Sequence, residues 1–131
     1  MANTVMERIG ETLEYLCQDE QTPMEGVWYG ACRERELDSW NYFVYNRKKS
    51  KKATGNRIDL QTYYEIHIIH EDYIPEGYVE NVIEALQAEA GQGTKLKLTD
   101  DDITYDYVPK GSTGMYVEIA TLTFFHPEKR F

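Results

Sequence analysis

Leu60-Gln61-Thr62-Tyr63-Tyr64-Glu65-Ile66-His67-Ile68-Ile69 is the stretch on which the fold turns. Side chains of a strand alternate between two faces, so Leu60, Tyr64, Ile66 and Ile68 fall on one side, and Gln61, Tyr63, Glu65, His67 and Ile69 on the other. The first set is apolar and packs; the second is mostly polar and faces water. The segment reads as a strand with one buried face.

Toward the C-terminus, Ile74-Pro75 places a proline where a first helical turn tolerates one. Val79, Val82, Ile83, Leu86 and Ala90 then recur at helical spacing, with Glu76, Glu80 and Glu84 opposite, and Gly91 and Gly93 are read as the helix end. Lys95 to Leu98 and Ile103 to Val108 are candidate strands around the acidic turn Asp100-Asp101-Asp102. A turn over Pro109 to Gly114 leads into a long strand, Met115 to Phe125, closed by Pro127.

Toward the N-terminus lies a segment of Lys, Ser, Thr, Gly and Asn without periodicity, read as a long basic loop over residues 47–59. Trp40 to Asn46 and Val27 to Cys32 are rich in β-branched and aromatic residues, and are read as a hairpin across the charged stretch 33–38. Val5, Ile9, Leu13 and Leu16, with Met6 and Cys17 alongside, make one helical stripe that Asn3 or Thr4 can cap. That helix should stop before Thr22-Pro23.

The resulting order, α-β-β-β-α-β-β, predicts an α+β fold in one domain spanning residues 1–131, with two helices on one face of an antiparallel sheet of about five strands. Apolar residues nevertheless fall on both sheet faces. Val117 and Ile119 oppose Leu122 and Phe124 in parity, as Trp40 and Tyr42 oppose Phe43 and Tyr45. Either a bulge or covering loop hides the surplus, or neighbouring subunits bury it. Eleven tyrosines favour the second, because amphipathic rings suit surfaces that are buried only after assembly.

Charge is segregated. The net charge is −9, yet Arg47, Lys48, Lys49, Lys51, Lys52 and Arg57 put six positive charges in eleven residues without an acid, so the rest of the chain carries −15. Such a body repels nucleic acid, whereas the basic segment attracts an acidic neighbour or a phosphate. The order helix, three strands, helix is also that of a double-stranded-RNA-binding domain. There the phosphate-gripping lysines open the second helix, and here it opens Glu76-Gly77-Tyr78-Val79-Glu80.

No pattern of catalytic or metal-binding residues emerges. His67 and His70 lie three apart on a strand, on opposite faces, and cannot share an ion. Asp100-Asp101-Asp102 with Asp106 lacks the alternating ligands and terminal glutamate of a calcium loop and reads as a solvated turn. Gly91-Gln92-Gly93-Thr94-Lys95 lacks the upstream glycine and following hydroxyl of a phosphate loop. No G-x-S-x-G is present, and Cys17 and Cys32 read as two buried reduced thiols. Met1 to Arg8 has neither the basic start nor the apolar run of an export signal, and no stretch reaches membrane-spanning length.

In size, element order and local texture the chain resembles the tail-terminator, or tail-completion, proteins of long-tailed bacteriophages and prophages. The likeness is carried by Glu11-Thr12-Leu13-Glu14-Tyr15-Leu16, by Tyr42-Phe43-Val44-Tyr45 leading to the basic loop, by Tyr63-Tyr64-Glu65-Ile66-His67-Ile68-Ile69, and by Glu71-Asp72-Tyr73-Ile74-Pro75. It spans nearly the whole chain. The resemblance implies a structural, non-enzymatic protein without cofactor: a homo-hexameric ring that ends the tail tube, docks the head connector and resides in the virion at the head–tail junction. Another head–tail connector or neck protein fits the same pattern, and a nucleic-acid-binding module using residues 47–57 is the competing class. The interface residues expected from charge are Arg47, Lys48, Lys49, Lys51, Lys52 and Arg57, meeting a neighbouring subunit or the tube.

Overall fold

The computed structural model describes residues 4–32, 39–52, 60–88, 96–111 and 113–127. Two helices, α1 (Val5–Leu16) and α2 (Tyr78–Gln87), accompany strands β1 (Val27–Tyr29), β2 (Tyr42–Lys52), β3 (Leu60–Glu71), β4 (Lys97–Leu98), β5 (Thr104–Pro109) and β6 (Tyr116–Pro127). The fold is α+β, as expected. The sheet runs β1-β2-β3-β6-β4, and β5 also pairs with β6.

The alternation of β3 sets the layers. Ile66 and Ile68 are fully buried beneath the helices, in one core with Ile9 and Leu13 of α1, Val82 and Leu86 of α2, and Leu122 and Phe124 of β6. Tyr64, Tyr78, Val79 and Ala120 complete that layer, and Ile83 packs at its margin. Thr4 caps α1, its Oγ1 accepting from the Glu7 backbone N–H at 3.1 Å while donating to the Glu7 carboxylate at 2.9 Å. Gly10 lets α1 lie close to the sheet, since a Cβ there would come within 2.8 Å of the Tyr45 hydroxyl.

Five expectations are corrected. β1 and β2 are parallel, in the register Val27↔Phe43 to Tyr29↔Tyr45, and do not form a hairpin. Residues 30–41 between them supply the roughly dozen residues that a parallel crossover needs and a tight hairpin does not. The sheet is therefore mixed, with six strands. Residues 47–52 are not loop but the distal half of β2, paired with β3 as far as Lys52↔Leu60. Pro75 precedes α2 rather than opening it. The Tyr78 N–H reaches the Pro75 carbonyl, and Gly77, at φ 86, takes a left-handed N-cap position that side chains resist. Cys17 and Cys32 are only partly buried and not joined in a disulfide, and desolvation pushes the Cys17 thiol up to about 11. Arg57, Ala90, Gly91 and Gly93 lie outside the described residues.

Two substitutions test this core. Ile66→Ala or Leu86→Ala should cost about 2–5 kcal/mol in denaturant unfolding, because each empties space that neither helix nor sheet can close. Tyr78→Phe should behave oppositely. The buried Tyr78 hydroxyl has no hydrogen-bond partner among the described residues, so its removal should leave the unfolding midpoint unchanged or raise it.

Candidate functional site

The face of the sheet away from the helices, and the sheet's two edges, hold the remaining chemistry. Directly paired residues share a face, so this open face can be read row by row. At its lower end Val44, Ile69 and Val117 form a second buried cluster, flanked by Trp40, Tyr42 and Ile119. Trp28 meets Tyr42 edge-on at 5.6 Å. The surplus of apolar residues expected on this face is real, and Trp40, from the crossover before β2, covers part of it.

Glu71 fixes that cover. Its carboxylate accepts from the Trp40 backbone N–H at 2.6 Å and from Lys110 Nζ at 2.7 Å, and Lys110 also lies 5.9 Å from the Trp40 ring centroid. The Lys110 hydrogen bond, aided by that of Trp40, holds the Glu71 carboxyl below its ordinary value. These three residues are far apart in sequence. Only the parity of Glu71, odd like Ile69, hinted that it belongs to this face.

Above the apolar end lies a polar band. His67 Nε2 sits 3.0 Å from Asn46 Oδ1, and His67 Nδ1 3.0 Å from Thr121 Oγ1. The Asn46 amide donates to Glu65 Oε1 at 3.1 Å, which turns its oxygen toward His67. Nε2 therefore carries the proton and Nδ1 accepts from the Thr121 hydroxyl. Desolvation lowers the His67 pKa, opposed by Glu65, so the ring is neutral at pH 7. His70 is on the other face, as strand parity requires, with Nδ1 at 2.9 Å from the Glu71 carbonyl. Among the described residues no group of three His, Cys, Asp or Glu side chains is placed to hold a metal ion.

The basic residues occupy the upper end. A register shift between Arg47 and Lys49 makes Lys48 the extra residue of a bulge, after which Lys49 faces Tyr63 and Lys51 faces Gln61. Lys49 Nζ lies 5.0 Å from the Tyr63 ring centroid, and Tyr63 packs against Phe125 at 5.9 Å. Arg47, Lys48, Lys49 and Lys51 are all exposed. The structure thus brings together five of the six basic residues expected at an interface, aligned on a strand instead of spread along a loop.

The opposite edge was less legible. β4 and β5 both pair antiparallel with β6, through Leu98↔Phe124 and Thr104↔Thr121. Residues 99–103 therefore stand opposite only Leu122 and Thr123, and the three exposed aspartates Asp100 to Asp102 fall in this irregularity. They lie between two strands, as expected, and both strands pair with β6. Below them every residue of β5 is exposed. Tyr105, Tyr107 and Val108 of β5, with Met115 and Tyr116 beyond the turn, are five of the eight large apolar side chains exposed among the described residues.

No protein-family model matches the chain, and no curated protein matches it in sequence. A solved structure described only by a sequence identifier is similar over 100% of this chain and 99% of its own, at 10% identity and a TM-score of 0.48.

The Glu71 cluster predicts a specific acid response. A carboxyl whose folded pKa is depressed adds stability above its unfolded value, near 4.5, and loses that contribution as pH falls through the folded value. Wild-type stability should therefore fall more steeply below pH 4.5 than that of Glu71→Gln. Denaturant midpoints of the two proteins between pH 3 and 7 measure the difference, and parallel curves would show that the Lys110 bridge contributes nothing.

Proposed function

We propose that the chain is a structural assembly protein of the tail-terminator kind, a ring subunit that ends a phage tail tube and receives the head connector. One observation carries the reading: an edge strand with all six residues exposed, bearing Tyr105, Tyr107 and Val108 and continued by Met115 and Tyr116. Long exposed edges invite pairing and are usually blunted, while large exposed apolar groups in a folded domain mark surfaces that another protein covers. Tyrosine suits that role, being soluble in the free subunit and buried at small entropic cost in the assembly. The exposed cationic β2 edge supplies a second surface of opposite character, as head-to-tail association needs. Another head–tail connector protein would use the same features.

Residues 47–52 also invite a nucleic-acid reading, and charge weighs against it. Five cations on one edge face a remainder that is strongly negative, so the long-range field repels a polyanion except at close range. Gel shifts with duplex DNA and RNA at physiological salt should show no micromolar binding, and salt-sensitive micromolar binding would transfer the function to the competing class.

Negative-stain imaging of the purified chain tests the main reading. Closed rings of uniform diameter are expected, with native mass spectrometry giving six copies. A chain that stays monomeric at all accessible concentrations would overturn it.

A further inference from the structure

From the strand register we infer that the ring closes edge to edge, the cationic β2 edge of one copy docking on the aspartate-bearing β4–β5 edge of the next. The inference rests on the ring reading and names its contact. Arg47 pairs with Tyr64, Tyr64 with Phe124, and Phe124 with Leu98, so one row crosses β2, β3, β6 and β4. Lys49, Tyr63, Phe125 and Lys97 form the adjacent row. Asp100 to Asp102 follow Leu98 within a few residues. Arg47 and Lys48 at one edge and the three aspartates at the other therefore lie at nearly the same height, offset by roughly 7 Å at a strand's rise per residue.

Three consequences follow from that placement. The two charged groups sit on opposite edges of one sheet, so they cannot neutralise each other within a subunit. A second copy in the same orientation brings them together. Matching heights make the step between copies lateral, which rotation closes into a ring; a large axial offset would wind into a filament. Strand direction agrees as well. β2, β3 and β6 alternate in direction and β4 and β5 run against β6, so a neighbour's β4–β5 edge meets β2 antiparallel.

The balance of charge favours the contact. Residues 47–52 carry five cations, and residues 96–109 carry Asp100, Asp101, Asp102 and Asp106 against the single cation Lys97. β1 covers β2 only at Phe43 to Tyr45, and among the described residues no strand pairs with β2 beyond it or with the far side of β4 and β5. Because β1 projects one strand spacing, about 4.8 Å, beyond β2, the contact at this height is made by long Lys and Arg side chains instead of a backbone ladder. Below it, the neighbour's Tyr105 falls level with Val27 at the start of β1, and Tyr107 lies two residues further down.

A charge swap tests the assignment while sparing the two contacts with internal partners, Lys49 on Tyr63 and Asp101 on Thr99. The variants are Lys48→Glu with Lys51→Glu, Asp100→Lys with Asp102→Lys, and the four-fold combination. Unchanged denaturant midpoints establish that each folds, as expected for exposed residues. Sedimentation and native mass spectrometry then read assembly. Each two-fold variant should associate at least a hundredfold more weakly than wild type, and the four-fold swap, or an equimolar mixture of the two, should reassociate. Rings that persist in both two-fold variants, or a swap that rescues nothing, overturn the edge assignment and leave the ring reading intact. A wild-type chain that forms no ring overturns both.

Discussion

Everything in this molecule is hung from β3. It is hydrogen-bonded along both edges, to β2 and to β6, over nearly its whole length. It is also packed on both faces, by Ile66 and Ile68 beneath the helices and by Ile69 beneath Trp40 and Tyr42. A shift of one residue would turn Ile66 and Ile68 out of the core and drive Glu65 and His67 into it, exchanging full apolar burial for desolvated charge. The register of β3 is thus fixed by two opposed penalties. Its neighbours inherit that register, which is why side chains as distant in sequence as Glu71 and Lys110, or His67 and Thr121, meet within hydrogen-bonding distance.

The same register distributes the charges. Lysines are poor strand formers, but those of β2 stand exposed where the strand runs beyond β1. There the backbone ladder to β3 holds the strand, assisted by the Ser50 and Thr62 hydroxyls at 3.1 Å and by Lys49 over Tyr63. Lysine on an edge also discourages indiscriminate pairing with other sheets. The aspartate interruption does the same on the far side. Each edge repels its own kind and attracts the other, so in the proposed ring the features that prevent aggregation would also select a single mode of association.

How much of this was legible in the sequence depended on range. Period-2 alternation in Tyr64, Ile66 and Ile68, and period-3.6 spacing in Ile9 and Leu13 or Val82 and Leu86, are local signals, and they located both helices, the central strands and the main core. The apolar surplus on the second face was equally readable, since Val117 and Ile119 must oppose Leu122 and Phe124 in any strand. Direction was not. Nothing in the charged residues 33–38 distinguishes a hairpin from a crossover, because the choice is made by β1 packing beside Phe43 to Tyr45. The basic strand was missed for a related reason: its intrinsic preference is for loop, and only pairing with Gln61 to Tyr64 overrides it. The Glu71, Lys110 and Trp40 cluster depends on three separate connections and carried no sequence signal beyond parity.

Net charge supplies the last constraint on how subunits of the proposed ring would meet. At −9 each copy repels its neighbours over most orientations, and at physiological ionic strength that repulsion is screened beyond about 8 Å. A subunit approaching in most other orientations therefore meets acid against acid at short range. Approach of the lysine edge to the aspartate edge reverses the sign just inside the screening length, where long side chains can reach. The tyrosines of β5 then become coverable, and their burial adds a contribution that salt does not weaken. In the proposed ring, charge would select the partner surface and its orientation and aromatic burial would hold it, a division of labour that a uniformly acidic or uniformly apolar edge could not provide.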